Sequence, residues 1–218
     1  MKNCVYVLDT QILSDERIFA VWYDRMTQHR KQKTDAFKFD KDKRLCLGAG
    51  ILLTLAVNGS CEPECLLENH GKPYLADSGI QFNLSHSGTL AVCAVSDKPV
   101  GVDIQQHRHF EDRLIKYVFQ PSEAQIIYAC KTAEQRDKLC TQLWTVKESV
   151  MKYLGTGVGL APKKIRVDIG QTLKAYCDEY ELGELHFCGY DMDGYELTVC
   201  SEYEHFTDGV RYISGSEL

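Results

Sequence analysis

Short apolar runs and longer segments with helical spacing alternate along this chain. The short runs are bounded by turn residues such as Ser96-Asp97-Lys98-Pro99, which is typical of β-strands joined by hairpins. In the longer segments, apolar residues recur every three or four positions, as on one face of a helix. Strands are predicted at 5–8, 90–95, 100–104, 165–167, 184–189 and 195–200, with a strand running into a turn over 82–88, and helices at 11–28, 44–57, 114–119, 121–130 and 133–154.

This order of elements divides the chain near residue 100. Residues 1–100 give a strand, helices and further strands, and residues 101–218 give helices followed by strands. Strands and helices that come in separate groups favour an α+β protein, in which helices pack on antiparallel sheets. We therefore predict an α+β fold with two halves, 1–100 and 101–218.

Composition excludes membrane-spanning and disordered classes. The chain is 44% hydrophobic and 26% charged over 218 residues, which is ordinary for a globular protein. No apolar run approaches the roughly 20 residues that cross a bilayer, and the N-terminus lacks the longer apolar core of a secretion signal. A cytoplasmic protein with no membrane association is expected.

Ten cysteines could indicate disulfides or a metal site. Several lie inside apolar, strand-like runs, where a thiol behaves as a small hydrophobe. Cys61 and Cys65, with His70 nearby, leave a zinc site open as an alternative, but a second closely spaced pair of ligands is missing. Reduced thiols are the prediction.

Positive charge is concentrated in residues 25–44. This segment holds eight Lys or Arg against three Asp, although the whole chain has a net charge of −6. A basic segment on an acidic protein favours an anionic partner, such as phosphates or an acidic protein surface. A solvated helix face is the alternative, and the sequence pI near 5.7 argues against a nucleic-acid-binding protein.

Asp103 lies near the end of an apolar strand. Alternation puts Asp103 on the same face as Gly101 and Gln105, and a carboxylate there suits a hard cation such as magnesium. An aspartate at a strand end is also common as a cap or turn residue.

Glu148 and Lys152 stand four residues apart on one face of the predicted helix 133–154. Both could reach one anionic ligand, the glutamate through a metal and the lysine directly. The alternative is an ordinary ion pair on the helix surface.

A strand runs into a small-residue turn at Asn83-Leu84-Ser85-His86-Ser87-Gly88. Its hydroxyl, imidazole and backbone groups are donors that a phosphate could accept. A Ser–His hydrolase is the rival interpretation, but the Gly-x-Ser-x-Gly elbow is absent, and adjacent side chains on a strand point in opposite directions.

Taken together, these segments resemble the Sfp-type 4′-phosphopantetheinyl transferases. The resemblance is carried in order by four motifs, covers residues 70–160 most closely and extends loosely to the basic segment. The motifs are Gly71-Lys72-Pro73, Phe82 to Gly88, Gly101-Val102-Asp103, and Trp144 to Lys152 followed by Gly155-Thr156-Gly157.

The resemblance implies two similar α+β halves forming an intramolecular pseudo-dimer, which would act as a monomer. It implies transfer of 4′-phosphopantetheine from coenzyme A to a serine of an apo acyl or peptidyl carrier protein that is acidic around that serine. The first half would hold coenzyme A phosphates and the second would carry the metal site and the catalytic helix.

Site residues follow from matched positions. Asp103 and Glu148 would bind Mg²⁺, and Gln105, which stands where many members have an acidic residue, would hold a metal-bound water or coordinate weakly through its carbonyl. Glu148 or Glu123 would be the base, and Lys152 would add catalytic positive charge. The implied coenzyme A contacts are Arg44, Lys72, Ser85, His86 and Lys152, with Arg30 and Lys33 less firmly aligned. A non-catalytic module that binds coenzyme A or acidic proteins is the alternative.

Overall fold

The computed structural model contains six helices and eleven strands among residues 3–68, 70–76, 78–170 and 172–218, which are the residues it describes. The helices are α1 (Glu16–Asp24), α2 (Gln28–Ala36), α3 (Asp40–Ala56), α4 (Asp112–Val118), α5 (Pro121–Tyr128) and α6 (Ala133–Leu154). The strands are β1 (Cys4–Asp9), β2 (Leu66–Leu67), β3 (Pro73–Tyr74), β4 (Gln81–Ser87), β5 (Leu90–Ser96), β6 (Val100–Gln106), β7 (Ile165–Ile169), β8 (Leu173–Cys177), β9 (His186–Met192), β10 (Tyr195–Ser201) and β11 (Arg211–Tyr212).

Two small sheets form the centre of the fold. The first has the strand order β11-β1-β5-β4 and the second the order β6-β10-β9. Pairing is antiparallel except between β1 and β11. The short hairpins β2–β3 and β7–β8 lie outside them. The prediction of an α+β protein with small antiparallel sheets and helices is therefore confirmed.

Each central sheet packs against one long helix. α3 contacts β5 and α6 contacts β6 and β10. The sheets meet through an apolar layer that includes Val7, Val92, Val102 and Val199, which are all buried. Their edge strands β4 and β6 therefore run close together between the two helices.

The chain end returns to the first sheet. β11 pairs with β1, and the indole nitrogen of Trp22 donates a hydrogen bond to the carbonyl oxygen of Leu218 at 3.1 Å. Ile213 joins the core around α3. The last residues thus stabilise the half of the fold formed by the N-terminal segment.

The helix predicted over residues 11–28 is wrong in its bounds. The side chain of Asp15 accepts the backbone N–H of Arg17 and starts α1, and Thr27 accepts that of Arg30 and starts α2. Aspartate and threonine are favoured at these positions because they satisfy N–H groups that have no partner in the helix. The segment is therefore broken into separate helices.

No helix in the described part of the chain combines the length and apolar character needed to span a bilayer. Within the same residues, no cluster of three or more His, Cys, Asp and Glu side chains could hold a metal ion. The cysteines Cys93, Cys140 and Cys200 are buried among apolar side chains.

Candidate active site

Asp103 is buried in the interior of β6, not at a turn. Its Oδ1 accepts the hydroxyl of Ser85 at 2.8 Å and the ammonium of Lys152 at 2.6 Å. The same ammonium donates to the Ser85 hydroxyl oxygen at 2.7 Å. The first sheet, the second sheet and α6 thus meet in one polar group of three side chains.

Alternate residues of β4 hold β6 in register beside it. Asn83 Oδ1 accepts the backbone N–H of Val102 at 2.9 Å, Ser85 Oγ that of Ile104 at 3.3 Å, and Ser87 Oγ that of Gln106 at 3.0 Å. Side chains that alternate along a strand repeat every second residue, which matches the spacing of these donors. This ladder places Ser85 directly opposite Asp103.

α6 approaches β6 closely because residue 101 is glycine. A Cβ atom there would lie 2.0 Å from the carbonyl oxygen of Ser149 and 2.6 Å from the backbone nitrogen of Tyr153. Only glycine fits such a contact between two backbones. Gly101 therefore allows the turn of α6 that carries Lys152 to pack directly against β6.

Glu148 lies half-buried on α6 next to this group. Burial raises the pKa of its carboxyl above the ordinary value, the negative charge of Asp103 raises it further, and Lys152 opposes both. Lys152 pairs with Asp103, so the surface ion pair considered from the sequence does not describe this site. Two carboxylates and one ammonium share the site.

Gln105 is also held at this end of β6. Its amide nitrogen donates to Ser87 Oγ at 3.1 Å and to the carbonyl oxygen of Gln106 at 3.1 Å. A carbonyl oxygen only accepts hydrogen bonds, so the contact with Gln106 fixes which end of the amide is the nitrogen.

A cavity of about 540 Å³ opens on the first-half side of the site. Its walls come from α2, α3, the β2–β3 hairpin and β4. The basic side chains that line it are His29, Arg30, Lys33 and His86. Glu62 and Glu64 also line it, so the cavity combines basic side chains with two carboxylates.

His86 connects this cavity to the carboxylates. It lines the cavity, whereas the preceding Ser85 points to Asp103, as alternation on a strand requires. Burial lowers the pKa of His86 below its ordinary value, Lys152 and Lys33 lower it further, and Asp103 opposes them. The cavity and the acidic group therefore lie on either side of β4, joined through adjacent residues of that strand.

Arg30 is neutralised by a partner that the sequence did not indicate. Its guanidinium lies 2.6 Å from Glu62 Oε1, and Glu62 Oε2 accepts the Thr27 hydroxyl at 3.0 Å. In the sequence Glu62 lies between Cys61 and Cys65, and nothing in that position predicts that it pairs with an arginine. Arg44 lies half-buried in the second turn of α3.

Two predicted residues lie elsewhere. Lys72 donates to the carbonyl oxygen of Tyr153 at 2.8 Å. Glu123 is 2% exposed and pairs with Lys147 at 2.7 Å, while its two oxygens also accept the backbone N–H groups of Val167 and Gln120. This saturated carboxylate belongs to a separate buried cluster, so we leave it out of the reaction.

Comparison with known proteins gives consistent matches. A sequence model described as the 4′-phosphopantetheinyl transferase superfamily matches residues 99–200. A 4′-phosphopantetheinyl transferase of Bacillus subtilis is 30% identical over 221 residues, which cover 95% of this chain and 97% of that protein. The 4′-phosphopantetheinyl transferase Sfp of Bacillus subtilis strain 168 is 30% identical over 157 residues, or 69% of this chain and 68% of that protein. The crystal structure of Thermotoga maritima holo-[acyl-carrier-protein] synthase aligns with a TM-score of 0.40 at 17% identity, over 47% of this chain and 61% of that one.

Proposed function

Because the chain belongs to the 4′-phosphopantetheinyl transferase superfamily, we propose that it transfers the 4′-phosphopantetheine arm of coenzyme A to a serine of an apo carrier protein. The serine hydroxyl attacks the phosphorus next to pantetheine, and 3′,5′-ADP leaves. The oxygen–phosphorus bond to the serine forms as the bond to the departing 3′,5′-ADP breaks. The serine proton passes to a base of the enzyme.

One observation carries this proposal. Ser85, Asp103 and Lys152 form one hydrogen-bonded group where the two sheets and α6 meet, and His86, which follows Ser85 on β4, lines the cavity. The basic side chains His29, Lys33 and His86 in the cavity wall suit a nucleotide with several phosphates, and the carboxylates of Asp103 and Glu148 beside Lys152 suit phosphoryl transfer, which depends on positioning and charge. Coenzyme A bound in the cavity would have its pyrophosphate beside Asp103, Glu148 and Lys152.

The residues present fit Mg²⁺. Magnesium prefers oxygen ligands and is often held by one or two carboxylates together with substrate phosphates. Asp103 and Glu148 would hold it, and the pKa of Glu148, raised by burial and by Asp103, indicates a repulsion that a divalent cation would relieve. When bound, Mg²⁺ supplies positive charge against the charge that develops on the phosphates. Gln105 adds a neutral amide beside them.

The other side chains bind and exchange protons. Lys152 and His86 would donate to coenzyme A phosphates, with Arg44, Lys33 and Ser85 in supporting contacts. Glu148 is our candidate for the group that accepts the serine proton, because Asp103, the other carboxylate of the site, already accepts hydrogen bonds from Ser85 and Lys152.

We further propose that the two halves, 1–100 and 101–218, form an intramolecular pseudo-dimer that acts as a monomer. Each half contributes a small, mainly antiparallel sheet packed by one long helix, α3 or α6, and β11 of the second half joins the first sheet. The candidate site lies where β4 of one half meets β6 of the other. A site assembled from both halves of one chain needs no second copy.

A chromatographic assay tests the function. The protein is incubated with coenzyme A, Mg²⁺ and an apo acyl or peptidyl carrier protein, and release of 3′,5′-ADP is followed. The control carrier has alanine in place of its acceptor serine. Release only with the serine carrier supports transfer, whereas coenzyme A binding by calorimetry without release would support a non-catalytic binding module.

A further inference from the structure

The side chain of Lys72 points away from the cavity, although the residues on both sides of it in the sequence line the cavity. Gly71 and Pro73 belong to the cavity wall, in and beside the β2–β3 hairpin. The Lys72 ammonium instead donates to the backbone carbonyl oxygen of Tyr153, at 2.8 Å and 81 positions along the chain. The contact therefore joins the cavity wall of the first half to the second half.

The acceptor lies at the C-terminal end of α6, where helix carbonyl groups lack partners within the helix. The chain supplies some partners itself: the backbone N–H of Gly155 donates to the carbonyl of Lys152 and that of Thr156 to the carbonyl of Met151. The carbonyl of Tyr153 receives the Lys72 ammonium. A positive charge at this end also interacts favourably with the helix dipole.

The packing around this contact is tight. Gly155 has a φ of 69°, and a Cβ atom there would lie 3.2 Å from Cδ of Lys72 and 3.1 Å from Oε2 of Glu68. Burial lowers the pKa of Lys72, and Glu68 opposes that change. An ammonium that is withdrawn from water needs its hydrogen-bond partner, so the contact is built into the fold.

The helix end that Lys72 holds is also the catalytic end. Lys152 directly precedes Tyr153, and Glu148 lies one turn earlier on α6. A shift of the Tyr153 turn would move the Lys152 ammonium away from Asp103 and from phosphates in the cavity. Small displacements of catalytic groups cost large factors in rate.

We propose that Lys72 is a positioning residue that fastens the cavity wall to the end of α6 and so keeps Lys152 aligned with coenzyme A. This inference rests on the proposed function. It replaces the phosphate contact expected for Lys72 from the sequence.

The test compares Lys72→Met with Lys131→Met, which removes an exposed lysine of the second half. For Lys72→Met we expect kcat about tenfold lower or more, with the Kd for 3′,5′-ADP and the KM for coenzyme A within about twofold of the parent. Lys131→Met should change none of these. Lys72→Arg keeps a donor and should recover much of kcat. A Kd for 3′,5′-ADP raised about tenfold with kcat retained, or an unchanged enzyme, would overturn the proposal.

Amide hydrogen exchange provides a readout independent of activity. The backbone amides of residues 151–156 should exchange faster in Lys72→Met than in the parent, and unchanged exchange would contradict the proposal that Lys72 holds the end of α6. If the parent protein releases no 3′,5′-ADP, the proposed function fails, whereas the exchange result still decides whether Lys72 holds α6.

Discussion

Glu148 and Asp103 share one site but have different surroundings. Asp103 accepts hydrogen bonds from Ser85 and Lys152. Glu148 is half-buried, and burial together with the charge of Asp103 raises its pKa. An acid with a raised pKa binds its proton more tightly in the folded state, so its contribution to stability is present at low pH and lost as pH rises through the folded pKa.

The upward shift of the Glu148 pKa predicts how the stability of the metal-free protein depends on pH. Glu148→Gln should be at least as stable as the parent at neutral pH in the presence of EDTA, because it removes an unfavourable buried charge. The advantage should shrink as pH falls through the raised folded pKa and should be gone below the ordinary glutamate pKa, where the parent carboxyl is protonated in both the folded and the unfolded state. Urea unfolding between pH 4 and 8 checks this, with Glu181→Gln as an exposed control. A variant that is less stable at neutral pH than the parent would contradict the account.

Gln105→Glu should bind Mg²⁺ more tightly, because a third carboxylate adds negative charge to the site. It should also lose stability, on the order of 1 kcal/mol, because the carboxylate cannot donate to the Gln106 carbonyl as the amide does. Calorimetry with coenzyme A present measures the first effect and urea unfolding the second. Gln106→Glu is the matched control on the opposite face of β6, and equal Mg²⁺ affinity in both variants would show that residue 105 does not sense the metal.

At the scale of elements, the buried ion pair of Lys147 with Glu123 anchors α6 to its neighbours. Lys147 is 0% exposed and donates to Glu123 and to the carbonyl oxygen of Pro162, and Glu123 also accepts the backbone N–H of Val167. These bonds join α5, α6 and β7. The cluster therefore sets the rotation of the helix that carries Glu148.

Lys147→Met should lower the free energy of unfolding by about 3–5 kcal/mol, because it leaves the Glu123 carboxylate buried and unpaired. The double variant Lys147→Met with Glu123→Gln should recover part of that loss, since no buried charge remains. Urea unfolding of the single and double variants measures the coupling. A double variant less stable than Lys147→Met would show that the pairing of charges is not what matters here.

Local signals account for the elements that the sequence predicted well. α6 was predicted at its observed bounds, because Thr132 caps its start and Gly155 follows its end. β5 and β6 agree within two residues. By contrast, β8 and the β2–β3 hairpin were not predicted, because β2 and β3 are only two residues long and β8 alternates half-buried with exposed residues.

The same distinction applies to the site. Asp103, Ser85 and Lys152 could be singled out because each stands in a motif with a fixed place on a strand or helix. The Glu62 partner of Arg30 and the Tyr153 partner of Lys72 could not, because these contacts join segments far apart in the chain. The burial of Glu123 depends on Lys147, which in the sequence reads as one more charged residue on a helix.

At the scale of the whole molecule, positive charge divides between the cavity and the surface. Lys33 lines the cavity, whereas Lys38 and Lys41 are exposed and Lys43 lies 3.7 Å from Asp40. Exposed charges act on a partner over about 8 Å at physiological salt. They are suited to steering an acidic carrier protein.

Replacing Lys38, Lys41 and Lys43 together by glutamine should therefore raise the KM for the carrier, more at low ionic strength, and leave the KM for coenzyme A nearly unchanged. Steady-state kinetics at two salt concentrations check this, with Lys116, Lys131 and Lys174 of the second half replaced as a control. A triple variant that weakens coenzyme A and spares the carrier would place the basic segment in the cofactor pocket.

The intact mass of an apo carrier protein, recorded after incubation with coenzyme A and saturating Mg²⁺, tests the central claim most directly. With the parent protein we predict a gain of one phosphopantetheine group on the carrier. With Asp103→Ala or Glu148→Ala, each verified as folded by circular dichroism, the rate of gain should fall by about a hundredfold or more. No gain with the parent protein, or near-parent rates in either variant, would contradict the account.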